Sequence, residues 1–546
     1  MAFMQTFLFS KRWVRVPVIL LMAIFCSCSL NQDSGGERAS PIYHLVVLHT
    51  NDTHGHPVKF SYRQARGVGG LPARATLVKG IRKEQKNVLV LDAGDLNTGR
   101  PESNLFTAKP DIEGYNTIGY DAMALGNHEF DHPIPVLMRQ REWARFPFIS
   151  ANIRKKEGGL LTEPYYIRKF DGFTVAVLGL TTKQTQITGN PDNIRDLVFE
   201  DEIRVAKRLV PELRKEADLV IALVHMGLYD SMQKGSKRLA SEVSGIDLIV
   251  DGHTHTRLES PILVKHSRSD HKTPIVQAWH WGLMVGRVDL WIKNRRVVDF
   301  RFKAIPVNLK NVEGIMGEEI VEDGPLAISL QPYVHEVERT LSEAIGYAEG
   351  SFPTDHMRNR ETALGNMVAD SMLWYTKNLG VDFAIQNGGG IRAELPKGLI
   401  TKGVIHEILP FDNSVVVLTL KGSDLQSLFD YIATLSEGRG AFPQVSEGLS
   451  FTINRTKGRC EAVLIKGKPI DPRKIYRVAT NSYLAHGGDG YRIFSKALDQ
   501  YDFALFQRDV FIEYIQFLGG RIRPKIRGRM TILSDKDVSL VFKRAA

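Results

Sequence analysis

The residues that could do chemistry fall in five short stretches. These are Asp52 and His54 in HTNDTHGH, Asp95 in LDAGD, Asn127 and His128 in GNHEFD, His225 in VHMG, and His253 with His255 in DGHTH. Mixed Asp, Asn and His donors suit borderline divalent metals rather than a thiolate-type centre. The D-x-H and H-x-H spacings put alternate residues of an extended chain on one side, so each pair reaches one ion. Asp95, with two carboxylate oxygens, is the natural bridge between two ions. A lone His at a strand end is usually a hydrogen-bonded structural residue. All five stretches together, each following an apolar run, define a two-metal site. Paired divalent ions lower the pKa of a bound water and neutralise charge that develops during a displacement.

Within MALGNHEFDH (123–132), Asn127 reads as a metal donor. His128 is either a further donor or, if the ions do not need it, a residue that faces a substrate, where an imidazolium stabilises anionic oxygens or protonates a leaving group. Asp131, three residues on, fixes the tautomer of His128 if the segment turns as a helix. Glu129, His132 and His56 read as structural or surface residues.

The region of these residues is built on short β-branched runs, most of which end in Asp, His or Asn: HLVVLHTND (44–52), NVLVLDAGD (87–95), FTVAVLGLTT (173–182), DLVIALVHMG (218–227) and DLIVDGHTH (247–255). They alternate with amphipathic stretches, the rhythm of an α/β domain. Their polar ends lie past the carboxyl ends of buried strands, where layered α/β proteins carry active sites. Residues 284–308 alternate like strands that close this domain, which spans 42–323. Residues 324–350 read as a linker helix with few contacts on either side. A second α/β unit follows over 351–546, with DFAIQNGGGIR (382–392), the strand SVVVLTLKG (414–422) and the helix SDLQSLFDYIATL (423–435).

At 546 residues the chain is too long for one core, and about 150 residues per domain implies two to four. A hydrophobic content of 43% excludes disorder as the default. Lys11, Arg12 and Arg15 precede the apolar run VPVILLMAIFC (16–26), which is shorter than the roughly 20 residues that span a bilayer. Residues 1–27 therefore read as an export signal of lipoprotein type, cleaved so that Cys28 becomes the first mature residue and carries the lipid. Residues 28–41 would be a flexible tether, and the location the periplasm or cell envelope. Cys460, the remaining cysteine, then has no disulfide partner. The net charge of +10 is scattered: KNRR (293–296) and HSRSDHK (266–272) lack interleaved aromatics, so no nucleic-acid partner is expected.

With these motifs in place, the sequence resembles the calcineurin-like metallophosphoesterases and, more closely, the 5'-nucleotidase family in its bacterial periplasmic UDP-sugar hydrolase branch. The resemblance covers nearly all of residues 42–533, including FPFISANI (146–153), VGRVDL (285–290) and IPVNLK (305–310). It implies a four-layer N-terminal metallophosphoesterase domain, a β-sandwich flanked by helices, and a C-terminal α/β nucleotide-specificity domain. One ion would be held by Asp52, His54, Asp95 and His255, the other by Asp95, Asn127, His225 and His253. The ions would be Zn, Mn or Co. Close periplasmic relatives carry Gln at the His255 position, so GHTH alters the donor set. The family also assigns the His128–Asp131 dyad.

In the second unit the resemblance implies that Arg392 and Asn387 in NGGGIR hold the nucleotide. Arg358 or Arg360 in MRNRETALGN would supply another phosphate-binding guanidinium, with Arg358 favoured. Phe411 and Tyr483 would stack the base, the Tyr483 hydroxyl adding a hydrogen bond. Asn413 would touch the base edge and Asp489 the ribose hydroxyls. The expected activity is hydrolysis of nucleoside 5'-monophosphates, and of UDP-sugars to UMP and sugar 1-phosphate, for nucleotide salvage. Two alternatives stay open. One is a 2',3'-cyclic-nucleotide phosphodiesterase/3'-nucleotidase, which Asp131 counts against; the other is a non-catalytic nucleotide-binding surface lipoprotein.

Overall fold

Strands that are apolar on every residue need cover on both faces. The structure, a computed structural model, meets that requirement with two six-stranded sheets stacked face to face. It describes residues 40–62, 65–312 and 314–533, so the signal segment, Cys28 and most of the tether lie outside the described residues. The first sheet runs, edge to edge, Arg296–Pro306, Met284–Lys293, Tyr43–Thr50, Val88–Asp92, Ala122–Ala124 and Phe148–Ile149. The second runs Ile262–Lys265, Lys272–Val276, Leu248–Val250, Leu219–His225, Phe173–Thr181 and Tyr165–Phe170.

Successive side chains of each strand enter different cores, as the period of two demands. Leu45, Val47, Leu89 and Leu91 meet Val175, Val177, Ile221 and Leu223 between the sheets. Val46, Leu48 and Val90 face outward, in one core with residues of the helices Leu71–Glu84, Lys109–Ile118 and Ile134–Trp143. Ala176, Leu178, Val220 and Ala222 do the same with the helices Glu202–Glu216 and Gly235–Glu242. The order is helix, sheet, sheet, helix. Each fully buried Val or Leu contributes about 1.5–3 kcal/mol. Val177→Asp, in the middle of the sandwich, would bury an unpaired charge and break it.

Pairing is parallel where the site lies. Thr50 pairs with Asp92, Leu91 with Ala122, His225 with Thr181, and Val250 with Val276. The chain therefore leaves these strands at their carboxyl ends, and all five chemical stretches emerge there. The alternating residues 284–308 form the antiparallel pair Met284–Lys293 and Arg296–Pro306 at one sheet edge.

The second domain has a five-stranded sheet in the order Pro443–Val445, Phe383–Asn387, Ile475–Asn481, Ser414–Lys421 and Asp499–Phe506. The helix Gly422–Thr434 buries Leu425, Leu428, Phe429 and Ile432 in its core. Cys460 is buried and free. Residues 324–350 differ from the expectation of one lightly held helix. The helix is Gly324–Leu341, capped by the Asp323 side chain, which accepts from the Leu326 N–H. It packs on the first domain through Leu326 and Leu330, and its Tyr333 hydroxyl donates to Glu113 at 2.8 Å. Ala344–Ala348 is a strand, paired with Gly398–Thr401 and Arg521–Ile522. The apolar helical stripe ends at Leu341, and AIGYA, with its β-branched and aromatic residues, has strand character.

Candidate active site

Past the strand ends, donor atoms converge in three overlapping groups. In each, the candidate ligand atoms lie within 4.8 Å of one another: Asp52, His54 and His255 in one, Asp95, His225 and His253 in another, and His54, Asp95 and His128 in a third between them. His54 Nε2 is 3.1 Å from His255 Nε2, and His255 Nε2 is 3.3 Å from Asp52 Oδ1. His225 Nε2 is 3.0 Å from Asp95 Oδ2, and Asp95 Oδ2 is 3.9 Å from His54 Nε2, so Asp95 joins the groups. Asn127 Oδ1 lies 2.9 Å from His253 Nδ1.

The donor set fits divalent ions. His54 Nδ1 is 3.0 Å from the Asn97 carbonyl and His225 Nδ1 is 2.7 Å from the Ala93 carbonyl. Each Nδ1–H donates to a backbone oxygen, which fixes the ring with Nε2 turned toward the other donors. The His225 Nε2 atom is buried, with the Asp95 carboxylate 3.0 Å away as its partner. Burial holds the His54 and His255 imidazoles well below their usual range and lowers His253 to about 3, so these rings are neutral donors. Burial also lowers His225, but Asp95 and Asp52 outweigh it and carry that ring up to about 10.

The chain does not reach this arrangement as an extended strand, which the alternation argument required. Asp52, His54, Asp95, His253 and His255 have φ of 49°, 43°, 58°, 81° and 50°. A left-handed residue in each loop turns the side chains back onto one spot, at a cost on the order of 1–3 kcal/mol each. The strain is held by neighbours that sequence reasoning missed. Asn51 Nδ2 donates to the Trp279 carbonyl at 2.6 Å, its Oδ1 accepts from the Ala278 N–H at 2.7 Å, and the Trp281 N–H donates to the Asp52 carbonyl at 2.7 Å. The approach is tight enough that a Cβ at Gly126 would strike the Asp95 carboxylate.

His128 opens a short 3-10 turn, His128–Phe130, and its Nδ1 is 2.7 Å from Asp131 Oδ2. Burial lowers the imidazole, but Asp131 and Asp95 outweigh it, and the net shift is upward. Glu129 and His56 are buried and hydrogen-bonded to backbone, as structural residues are. His132, read as structural or surface, lies in the wall of the cavity.

One cavity of about 350 Å³ joins this cluster to the second domain. Arg358, Asn387, Arg392, Phe411, Asn413, Tyr483 and Asp489 all line it, with Asp95, Asn127, His128, Asp131, His253 and His255 opposite. Arg360 does not. It lies exposed, because 354–360 is a tight turn in which the Arg360 N–H closes on the His356 carbonyl, sending residues two apart to different sides. Burial and Arg392 lower Arg358 to about 10, still charged at neutral pH. Asn387 Nδ2 donates to Asp489 Oδ2 at 2.8 Å. The Tyr483 hydroxyl donates to Asp489 Oδ1 at 3.2 Å and accepts from the Asp489 N–H at 3.0 Å, so it is spent within the loop rather than left over for a base. Arg439, Tyr229 and Gln184 also line the cavity and were missed; the one signal was the pair of glycines around Arg439.

The layered fold and this donor cluster define a calcineurin-like phosphoesterase, and the model of that family matches residues 45–257. The model of the 5'-nucleotidase C-terminal domain matches residues 344–496. The chain is 38% identical to a 5'-nucleotidase of Vibrio cholerae, over 83% of this chain and 87% of that one. It is 36% identical to protein UshA of Escherichia coli, over 82% and 86%. The 5'-nucleotidase precursor of Thermus thermophilus superposes with a TM-score of 0.81 at 31% identity, covering 90% of this chain and all of that one. The chain belongs to the 5'-nucleotidase family of calcineurin-like phosphoesterases. It is a metal-dependent phosphoester hydrolase with an N-terminal metallophosphoesterase domain and a C-terminal 5'-nucleotidase domain, and its relatives support action on nucleotides.

Proposed function

We propose that this hydrolase removes the 5'-phosphate of nucleoside monophosphates, with one ion on Asp52, His54, Asp95 and His255 and a second on Asp95, Asn127, His225 and His253. The observation that carries the reading is the single cavity with metal donors on one wall and arginines and aromatic rings on the other. The chemistry supplied by two bound ions is Lewis acidity, which polarises the phosphoryl group and lowers the pKa of water. Zn, Mn and Co all suit these donors.

The chain's own residues do the rest. With Nδ1 committed to Asp131, His128 presents Nε2–H to a phosphoryl oxygen or to the departing ribose oxygen. Arg392 and Arg358 take the remaining phosphoryl oxygens, Arg392 by a fork-like pair of N–H donors. Phe411 and Tyr483 stack the base, Asn413 meets its edge, and Asp489, held by Asn387 and Tyr483, accepts from the ribose hydroxyls. The helix Gly324–Leu341 would be the hinge about which the two domains part.

UDP-sugars are a second substrate class in this reading. Its support is that the cavity lining extends beyond the residues assigned above, to Arg439, Tyr229 and Gln184. The proposal includes export, lipidation at Cys28 and a role in nucleotide salvage, supported by the residue pattern of 1–28. The scattered positive charge would draw in anionic nucleotides.

The test is phosphate release by the purified chain from AMP, 3'-AMP and 2',3'-cyclic AMP, and UMP release from UDP-glucose. Each is run with Mn²⁺, Co²⁺, Zn²⁺ and a chelator. Chelator-sensitive turnover of AMP, lost in His128→Ala, supports the reading. Preference for the cyclic or 3' substrates, or no turnover with both ions bound, overturns it. For the anchor, Cys28→Ala should move the protein from the membrane to the soluble envelope fraction.

A further inference from the structure

Glu129 donates no atom to the metal cluster, yet its carboxylate takes up five N–H groups from the two loops that carry the donors. Oε2 accepts from the N–H of Asp95 at 2.9 Å and of Gly126 at 2.6 Å. Oε1 accepts from the N–H of Leu96 at 2.9 Å and of Asn97 at 3.2 Å, and from Asn97 Nδ2 at 3.2 Å. The side chain is 2% exposed.

These bonds matter because the sheet stops short of the donors. The strands Val88–Asp92 and Ala122–Ala124 pair only at Leu91 with Ala122 and Asp92 with Met123. Beyond that ladder, the loop reaching Asp95 and the loop reaching Asn127 need another tie. One carboxylate supplies it, since it has two acceptor oxygens and no donor to oppose the converging N–H groups. The same loops are closed from the other side by the His128 N–H, which donates to Asp95 Oδ1 at 2.8 Å.

We propose that Glu129 is a positioning residue that sets the separation of the Asp95 and Asn127 loops, and through it the affinity for the divalent ion those two residues share. The inference rests on the reading of Asp95 and Asn127 as metal donors. In Glu129→Gln the size is kept but an NH2 group replaces one acceptor and faces at least two N–H donors. The loops move apart by a fraction of an ångström, which an ion with short, directional bonds feels more than the fold does.

Affinity is measured by competition of Mn²⁺ and Zn²⁺ with a chromophoric chelator on the full chain, beside thermal denaturation of the metal-free protein. Glu129→Gln should weaken one of two ions about 10- to 100-fold, the usual effect of losing an outer partner of a ligand. The KM for AMP at saturating metal should not change. Glu361→Gln is the comparison. Glu361 is equally a buried acceptor of backbone N–H groups, from Arg527 at 2.9 Å and Arg529 at 2.8 Å, but in the second domain. It should lower the melting temperature and leave ion affinity alone. Wild-type affinity for both ions in Glu129→Gln would overturn the proposal, whatever happens to its stability. If that variant does not fold, Glu129→Asp, which keeps the charge but lacks the reach, should weaken the same ion, and unchanged affinity there overturns it. Failure of the wild-type chain to bind two ions would overturn the metal assignment itself, a distinguishable result.

Discussion

Arg392 Nη2 of the second domain lies 3.4 Å from His54 Nε2 of the first, beside the donor atoms of the metal cluster. The Arg392 guanidinium carbon also sits 5.9 Å from the centre of the Phe411 ring, and that ring is 5.8 Å from the ring of His128. One arginine thus connects the candidate metal cluster, the Phe411 ring and the His128–Asp131 pair. Arg392→Ala should lower kcat/KM about 10- to 100-fold, the scale of a lost hydrogen bond to a charged group. If the contact is with phosphate, as proposed, the loss should be equal for AMP and for a simple aryl phosphate. Arg392→Lys should recover little of it, lacking the planar fork. A loss confined to AMP would place Arg392 on the nucleoside instead.

Phe411 and Tyr483 make the opposite prediction. Stacking on an aromatic side chain is worth about 1–3 kcal/mol per base. Phe411→Leu should therefore raise KM for AMP roughly tenfold and leave aryl phosphate hydrolysis unchanged. Tyr483→Phe separates the ring from the hydroxyl. Because that hydroxyl is tied to Asp489, the variant should affect ribose-bearing substrates more than 2',3'-dideoxy analogues, read from their KM ratios.

Residue type and strand-end position made most of this site legible. The candidate metal donors, His128 and Asp131 are chemically distinctive residues next to apolar runs, and all of them converge. Backbone conformation was not legible: nothing in D-x-H or H-x-H tells an extended chain from one turned by a left-handed residue. For the same reason Arg358 and Arg360 could not be separated without seeing the turn that carries them. Tyr229 was silent because it comes from a loop with no adjoining pattern, Arg439 had only its flanking glycines as a signal, and only the folded chain brings both to one cavity. The docking of Gly324–Leu341 was visible in principle, since Leu326, Leu330 and Tyr333 recur at helical spacing.

Arg100, just past the Asp95 loop, bridges to Glu407 of the second domain at 3.0 Å, and Asn104 Nδ2 donates to the Pro410 carbonyl at 3.4 Å. Both partners of the ion pair are largely shielded, and burial raises the Glu407 carboxyl even with Arg100 beside it. Such a pair is costly to break from one side. Glu407→Gln should favour the open arrangement and raise KM for AMP severalfold with kcat unchanged or higher, if product release limits turnover. Small-angle scattering without substrate should show a larger radius of gyration for the variant. Equal radii and equal KM would mean that the pair does not hold the domains together.

Asp111 offers a test of the fold through pH. It lies in the first turn of the helix Lys109–Ile118, is 2% exposed, and its Oδ2 meets no hydrogen-bond partner among the described residues. Burial pushes its carboxyl up to about 7, although Ser103 and Arg74 pull it down. In the unfolded chain the value is about 3.9. Between those values the folded state holds a proton that the unfolded state has lost, so stability from this group falls as pH rises from about 4 to about 7. Above that window the full cost of burying the charge is present, and below it none is. Asp111→Asn removes the ionisation while keeping the shape. Its melting temperature should match the wild type below about pH 3.5 and exceed it by a few degrees at pH 8. A difference that stays constant across the window would mean that the carboxyl titrates as it does in water.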